Sequence, residues 1–406
     1  MHQFGGLNSN DQQEFLFAKA FQPYERGYLQ QSPLESPDCQ NLDYDSKGLR
    51  HRLGSAEYAN LTSITAAGEV LLKGIEFQIP NANTKAIVLV GKQSIYFKVG
   101  TGLGSATTNY FARALDSAGA TYTHAATVAK CSFAIADGHL FIGLDGANSI
   151  QVYRGTSNNG ARLDPRMTNG NTYSNAFGAG TNSITGTWST GYYLVASLHS
   201  RLVFSDGNTY LQYTPSARAA SSGIWDLAGS GSGYYQTNGA IKFMTSFVPQ
   251  FDNSIAEALY LGTTQGMEVT TGFASTDQLY RIEGTQPALN HQAFCKSQNW
   301  LIYLTENKNI IGVNGSRVID LGRRFKTADE TGVLDGVDLA NTTLVNNAFG
   351  YYHGKKQQAF IHASTSSAYV NNLCFVLDFK QGEPVLNEPQ YQFESHVRCL
   401  FWKLQE

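Results

Sequence analysis

Charge is the first thing this sequence lacks. Asp, Glu, Lys and Arg supply 15% of its 406 residues, against roughly a quarter in a typical soluble chain. The 29 basic and 32 acidic residues leave a net charge of −3, and no Lys/Arg-rich run occurs. A tight electrostatic grip on nucleic acid is therefore excluded, although DNA can still pass along a near-neutral surface. A surface so poor in charge also suits coverage by other subunits.

Cysteine is scarce and scattered. The five residues Cys39, Cys131, Cys295, Cys374 and Cys399 form no C-x-x-C pair, which excludes a zinc ribbon or a thioredoxin-like motif. Reduced, buried thiols of a protein made in a cytoplasm are expected. Long hydrophobic runs are missing too, so no membrane-spanning helix is expected. The opening MHQFGGLNSNDQQEFLF has no basic stretch followed by an apolar one, and it does not read as a signal peptide.

Catalytic motifs are equally absent. The chain contains no G-x-S-x-G, H-E-x-x-H or P-loop. Gly100-Thr101-Gly102-Leu103-Gly104 leads into Ser, Thr and Asn, so it reads as a plain loop. The nine histidines show no i, i+2 or i, i+4 spacing, so no metal site is expected. Ser205-Asp206-Gly207-Asn208-Thr209-Tyr210 resembles the Asp-box turn of sialidase-type propellers. It occurs once and ends in Tyr rather than Trp, and it reads as a hairpin turn. Trp225-Asp226 is a lone dipeptide and does not make a WD40 repeat. No catalytic residue, cofactor or metal is predicted, and the chain is read as a non-enzyme.

What the sequence does have is Gly (40), Tyr (22) and Phe (23), with many Ser, Thr and Asn. That is the composition of strands and turns. Short apolar runs alternate with turn signals from about residue 62 onward. Asp137-Gly138, Asp145-Gly146 and Asp206-Gly207 each separate two such runs, the strongest short-range hairpin signal. Central strands centre on Ile87, Leu140, Leu202, Leu259, Leu301 and Ala359. Six units at a loose period of about 40–60 residues predict the blades of a β-propeller. Two β-sandwich domains are the competing reading. Residues 157–187 and 219–239 are rich in Gly, Ser, Asn and Thr and are expected to be long loops offering contacts.

The N-terminal 61 residues differ from the rest and are expected to form an arm and a strap, with the propeller over 62–406. The arm interleaves Phe15, Phe17, Phe21, Tyr24 and Tyr28 with polar residues. The strap runs from Ser32 to Gly54. Pro33 and Pro37 favour extended backbone before them. Asn41, Asp43 and Asp45 alternate with Leu42 and Tyr44 in strand-like period 2. Lys47-Gly48 makes a turn, and Arg50 and Arg52 return on one face. The expectation is a hairpin clasp in which Arg50 and Arg52 meet Asp43 and Asp45.

Pro33 to Cys39, Asn41, Asp43, Gly48-Leu49 and Arg52-Leu53-Gly54 together resemble the opening of the tail nozzle and packaged-DNA-stabilisation proteins of short-tailed bacteriophages. Leu53 stands where that family often has proline. His199-Ser200-Arg201-Leu202-Val203-Phe204-Ser205 is similar to one of the family's blade strands, and Asn372 to Phe379 is similar to its last-blade strand. The resemblance implies a six-bladed all-β propeller with an N-terminal extended arm. Its copies would form a ring, expected to be a hexamer, in the virion tail. The arm would dock on a portal, an adaptor, another tail protein or a neighbouring copy. Packaged DNA would pass through the channel without sequence-specific binding and be retained until ejection, and assembly would take place in the host bacterial cytoplasm. Asn41, Asp43, Asp45, Gly48, Arg50 and Arg52 would form the assembly strap. Two other readings stay open: a tail propeller anchoring spikes or fibres, and a carbohydrate-binding or carbohydrate-cleaving propeller acting on host surface glycans.

Overall fold

The computed structural model describes residues 42–45, 48–51, 69–79, 85–99, 110–116, 118–136, 138–153, 156–158, 162–164, 168–169, 174–175, 182–183, 190–215, 231–249, 256–274, 277–297, 299–321, 346–355, 357–363, 373–379 and 398–403. The fold is all-β, an antiparallel six-bladed β-propeller about a central axis. Two sandwiches are thereby set aside.

Each blade is a four-stranded antiparallel meander. Blade 1 runs Leu71–Gln78, Lys85–Gly91, Ile95–Val99 and Tyr110–Arg113. Blade 2 runs Cys131–Ala136, His139–Leu144, Gln151–Tyr153 and Thr168–Asn169. Blade 3 runs Leu194–Leu198, Arg201–Ser205, Tyr210–Tyr213 and Gly233–Gln236. Blade 4 runs Ile241–Phe247, Ala258–Thr263, Gly266–Thr270 and Tyr280–Ile282. Blade 5 runs Phe294–Lys296, Leu301–Leu304, Ile310–Asn314 and Arg317–Asp320. Blade 6 runs Phe349–His353, Gln358–Ala363, Leu373–Asp378 and Arg398–Lys403. The chain divides into two compact units. Blades 1 to 4 lie in Ala56–Glu283, and blades 5 and 6 lie in Gly284–Glu406, which groups with Met1–Ser55.

The six anchors Ile87, Leu140, Leu202, Leu259, Leu301 and Ala359 all fall in the second strand of a blade. These strands are the most apolar because both their faces are covered. Leu140, Ile142 and Leu144 pack with Val88 and Phe97 of blade 1, whereas Phe141, between them, packs with Leu202 and Phe204 of blade 3. Val203 in turn packs with Leu259 and Leu261 of blade 4. The period-2 alternation of a strand thus sends successive residues into different cores. Blades 5 and 6 share a further core, where Ile302 and Leu304 meet Ala359, Ile361 and Phe375.

The two low-complexity stretches carry more than loops. Residues 157–187 include Thr168–Asn169, the outermost strand of blade 2, which pairs with Gln151–Val152. Residues 219–239 include Gly233–Gln236, the outermost strand of blade 3. Both strands are short and polar, so they read as loop. Asp145-Gly146 and Asp206-Gly207 are the expected turns, with Gly146 and Gly207 at φ 70° and 89°. Asp137, Lys47, residues 100–104 and 225–226 lie outside the described residues.

Candidate functional site

The backbone of the strap forms a hairpin, with Gly48 inside its second strand and Asp45 opposite that glycine rather than opposite an arginine. Leu42–Asp45 pairs antiparallel with Gly48–His51, with Asp43 opposite Arg50, Tyr44 opposite Leu49 and Asp45 opposite Gly48. Asn41 and Arg52, the remaining strap residues, lie outside the described residues.

The turn that resembles an Asp box is occupied by its own hydrogen bonds. The Asn208 amide N–H donates to Asp206 Oδ1 at 3.0 Å, and Asn208 Nδ2 donates to Asp206 Oδ2 at 2.7 Å. Both carboxylate oxygens thus close an Asx turn. Gly207 roofs the Tyr193 hydroxyl, which an added Cβ would meet at 2.2 Å. Burial of Tyr193, with Asp206 and Asp145 nearby, pushes its phenol up to about 12. A phenol so reluctant to ionise is a structural group at neutral pH.

Two histidines have partners that sequence spacing does not disclose. His124 is buried. It holds the Tyr122 hydroxyl on Nδ1 at 3.1 Å and the Gly91 carbonyl on Nε2 at 3.1 Å. The carbonyl can only accept, so Nε2 carries the proton and Nδ1 accepts from Tyr122. Burial is the main cause lowering the pKa of His124. In blade 6, His362 pairs across the sheet with Cys374, its Nε2 lying 3.5 Å from Sγ. The same imidazole stacks on Phe349 at 4.4 Å between centroids, and Tyr351 stacks on Phe360 at 4.7 Å. This ladder packs the strand face opposite the Ala359–Ile361 core.

Cys131, Cys295 and Cys374 are free and buried. Burial raises the Cys131 thiol to about 12 and raises the Cys295 thiol as well, so these two lack nucleophilic character. Among the described residues no group of three or more His, Cys, Asp or Glu is placed to hold a metal. No helix there is long and apolar enough to cross a membrane.

No family model matches the chain. No curated protein matches it either. Among solved structures it is similar to one described as "Crystal structure of BBS1N in complex with ARL6DN, soaked with mercury". The identity is 12%, over 62% of this chain and 64% of that one, with a TM-score of 0.30. The match spans less than two thirds of that chain's length, and it bears on neither partner nor activity.

The connectors between blades hold the most specialised polar groups. Asn148, 1% exposed, ties down the connector from blade 1 to blade 2. It accepts from the Ala126 N–H on Oδ1 at 3.1 Å, and its Nδ2 donates to the Ala126 and Asp145 carbonyls at 2.9 and 2.7 Å. Asn290 does the same before blade 6. Its Nδ2 donates to the Ala348 carbonyl at 2.9 Å, and its Oδ1 accepts from the Gln292 and Ala293 N–H groups at 2.8 and 2.6 Å. Between blades 3 and 4 the corresponding group is an acid, Glu268, 2% exposed. Its Oε1 accepts from the Asn238 N–H at 2.9 Å, and its Oε2 is buried with no hydrogen-bond partner.

Arg201 serves a similar packing role at the base of blade 3. It donates through Nη1 to the Thr214 carbonyl at 2.9 Å and to that of Gly231. Its guanidinium lies 5.8 Å from the Tyr213 ring centroid and 5.7 Å from that of Phe273, within cation–π range.

Proposed function

We propose that this chain is a structural virion protein of a short-tailed phage, a propeller subunit of the tail nozzle or of a portal-proximal ring. Its copies form the ring, expected to be a hexamer, and line part of the channel that retains packaged DNA until ejection. The single observation that carries the reading is the strap. Its sequence resembles the opening of that family, and its backbone forms a hairpin with Asp43 opposite Arg50. The six four-stranded blades are the fold that the same resemblance implies. The scarcity of charge fits a surface covered by neighbouring subunits and a channel that lets DNA slide. In this role the strap tethers the N-terminal arm for docking on an adaptor, a portal or a neighbouring copy.

The deciding experiment is electron microscopy of the purified full chain and of the virion. A sixfold ring with a central channel, located in the tail, is the expected result. A protein that stays monomeric and is absent from purified virions overturns the reading.

A second reading is favoured by one observation. Tyr210 and Tyr234 on the outer strands of blade 3 are 47% and 68% exposed, and Tyr280 on blade 4 is 59% exposed. Exposed tyrosines suit stacking on sugar rings, as expected of a propeller acting on host glycans. Binding of purified host polysaccharide by the wild type, lost in Tyr234→Ala, would favour it over the tail-ring role.

A further inference from the structure

The connector from blade 3 to blade 4, Thr237 to Ala240, is held on all sides by short-range bonds. The Thr237 N–H donates to the Thr209 carbonyl at 2.8 Å. Thr237 Oγ1 donates to the Gly239 carbonyl at 2.7 Å. The Ala240 N–H donates to Thr264 Oγ1 at 3.1 Å, and the Ile241 N–H donates to the Asn208 carbonyl at 3.1 Å. Asn238 meets an ionisable group: its N–H donates to Glu268 Oε1 at 2.9 Å.

Asn148 and Asn290 show what such a position ordinarily receives. Each is a neutral amide with both ends bonded. Glu268 uses one oxygen and leaves the other buried and bare. Burying an ionised carboxylate with an unbonded oxygen is far more costly than burying the neutral acid. A second partner stands directly across the sheet. Glu268 pairs in register with Arg281 on the outermost strand, and Arg281 is exposed. The acid therefore has two homes, an inner one suited to its protonated form and an outer one suited to its ionised form.

We propose that Glu268 is a proton-operated latch on the connector between blades 3 and 4. Protonated, its side chain stays inside and holds the Asn238 N–H. Ionised, it leaves that amide for the guanidinium of Arg281 and water, and the connector loosens. The charged residues on the elements that flank the connector are Arg281 on the sheet of Glu268, Lys242 on the innermost strand of blade 4 and Asp206 in the blade 3 turn before Asn208. The connector residues Thr237, Asn238, Gly239 and Ala240 are uncharged. Burial is the largest influence and raises the pKa of the acid, while the backbone and side-chain bonds from Asn238 and then the charge of Arg281 pull it the other way. A raised folded-state pKa means that the latch is fully held below the pKa of an exposed Glu, about 4.3. It is released as pH rises through the folded value.

The test is hydrogen exchange of the full chain, read by mass spectrometry on peptides covering 236–241 and corrected for the intrinsic pH dependence of exchange. In the wild type, protection of this connector is expected to fall about tenfold or more as pH rises from about 4 through the folded-state pKa of Glu268, while the blade 2 strand His139–Leu144 keeps its protection. Glu268→Gln, which supplies an amide like those of Asn148 and Asn290, should keep the connector protected at every pH. Arg281→Ala should move the wild-type transition to higher pH, and it serves as an independent test if Glu268→Gln folds poorly. Connector protection that does not change with pH in the wild type overturns the proposal. So does a transition unchanged by Arg281→Ala, or one that persists in Glu268→Gln.

Discussion

Gly143 lies so close to the backbone of Tyr193 that a Cβ on it would stand 2.8 Å from the Tyr193 carbonyl oxygen, and equally close to that of Tyr192. The same carbonyl of Tyr193 accepts from Ser132 Oγ at 2.7 Å, and Ser132 Oγ accepts from the Val195 N–H at 2.8 Å. Blades 2 and 3 are thus joined by backbone contact at the bare face of a glycine. Gly143→Ala must displace main chain rather than a flexible side-chain tip. It should destabilise the protein by about 1–3 kcal/mol, measurable as a lowered midpoint of thermal or urea unfolding. An unchanged midpoint would show that the blades separate here at no cost.

The hairpin between the first two strands of blade 3 turns through His199 and Ser200, with Leu198 paired to Arg201. Both turn residues have positive φ, 49° and 59°. A two-residue turn of this kind prefers Asn-Gly, because a β-carbon is strained in the left-handed region. The double change His199→Asn with Ser200→Gly should stabilise the protein by about 1 kcal/mol. Chemical denaturation with an unchanged m-value checks it.

His124 gives stability a defined acid limb. Its pKa is lowered in the folded protein, so the unfolded chain takes up the proton first. The contribution is complete above the unfolded value of about 6.5. It is lost as pH falls from there through the folded value. His124→Gln should flatten the pH dependence of the unfolding midpoint between pH 7 and 5. A slope equal to that of the wild type would assign the acid limb to other groups.

The strap should matter to assembly and not to the blades. Arg50→Ala combined with Arg52→Ala is expected to leave the unfolding free energy within about 0.5 kcal/mol of the wild type, because the blades do not include the strap. Incorporation into particles should fall sharply. Restoring opposed charges by exchanging Asp43 and Arg50, which face each other in register, should recover it. Normal particle incorporation by the double alanine variant would remove the strap from assembly.

The six second strands were legible because most of their residues are buried and apolar. Leu140-Phe141-Ile142 and Leu259-Tyr260-Leu261 leave little choice. The outermost strands were not legible, for the converse reason. Gly233–Gln236 and Tyr280–Ile282 are largely exposed, so little in their composition separates them from loop. The strap hairpin could be read from its alternation and turn. The two amide ties and the acid of the connectors could not. Met267-Glu268-Val269 looks like an ordinary half-exposed strand, yet Glu268 is buried and accepts from the connector residue Asn238. His362 and Cys374 are likewise brought together by strand register alone.

The assignment of neighbouring residues such as Leu140 and Phe141 to different cores has a bearing on how the molecule fails. Within Ala56–Glu283 the larger cores are shared between neighbouring blades, although blade 1 also keeps a cluster of its own, Tyr96 and Phe111 with Leu71, Ile87 and Leu89. Damage to one blade is at once damage to the core of the next. Loss of order across blades 1 to 4 is therefore a single event, visible as one heat-absorption peak. A nick in the Asp145-Gly146 turn should leave the severed halves clasped together until that event.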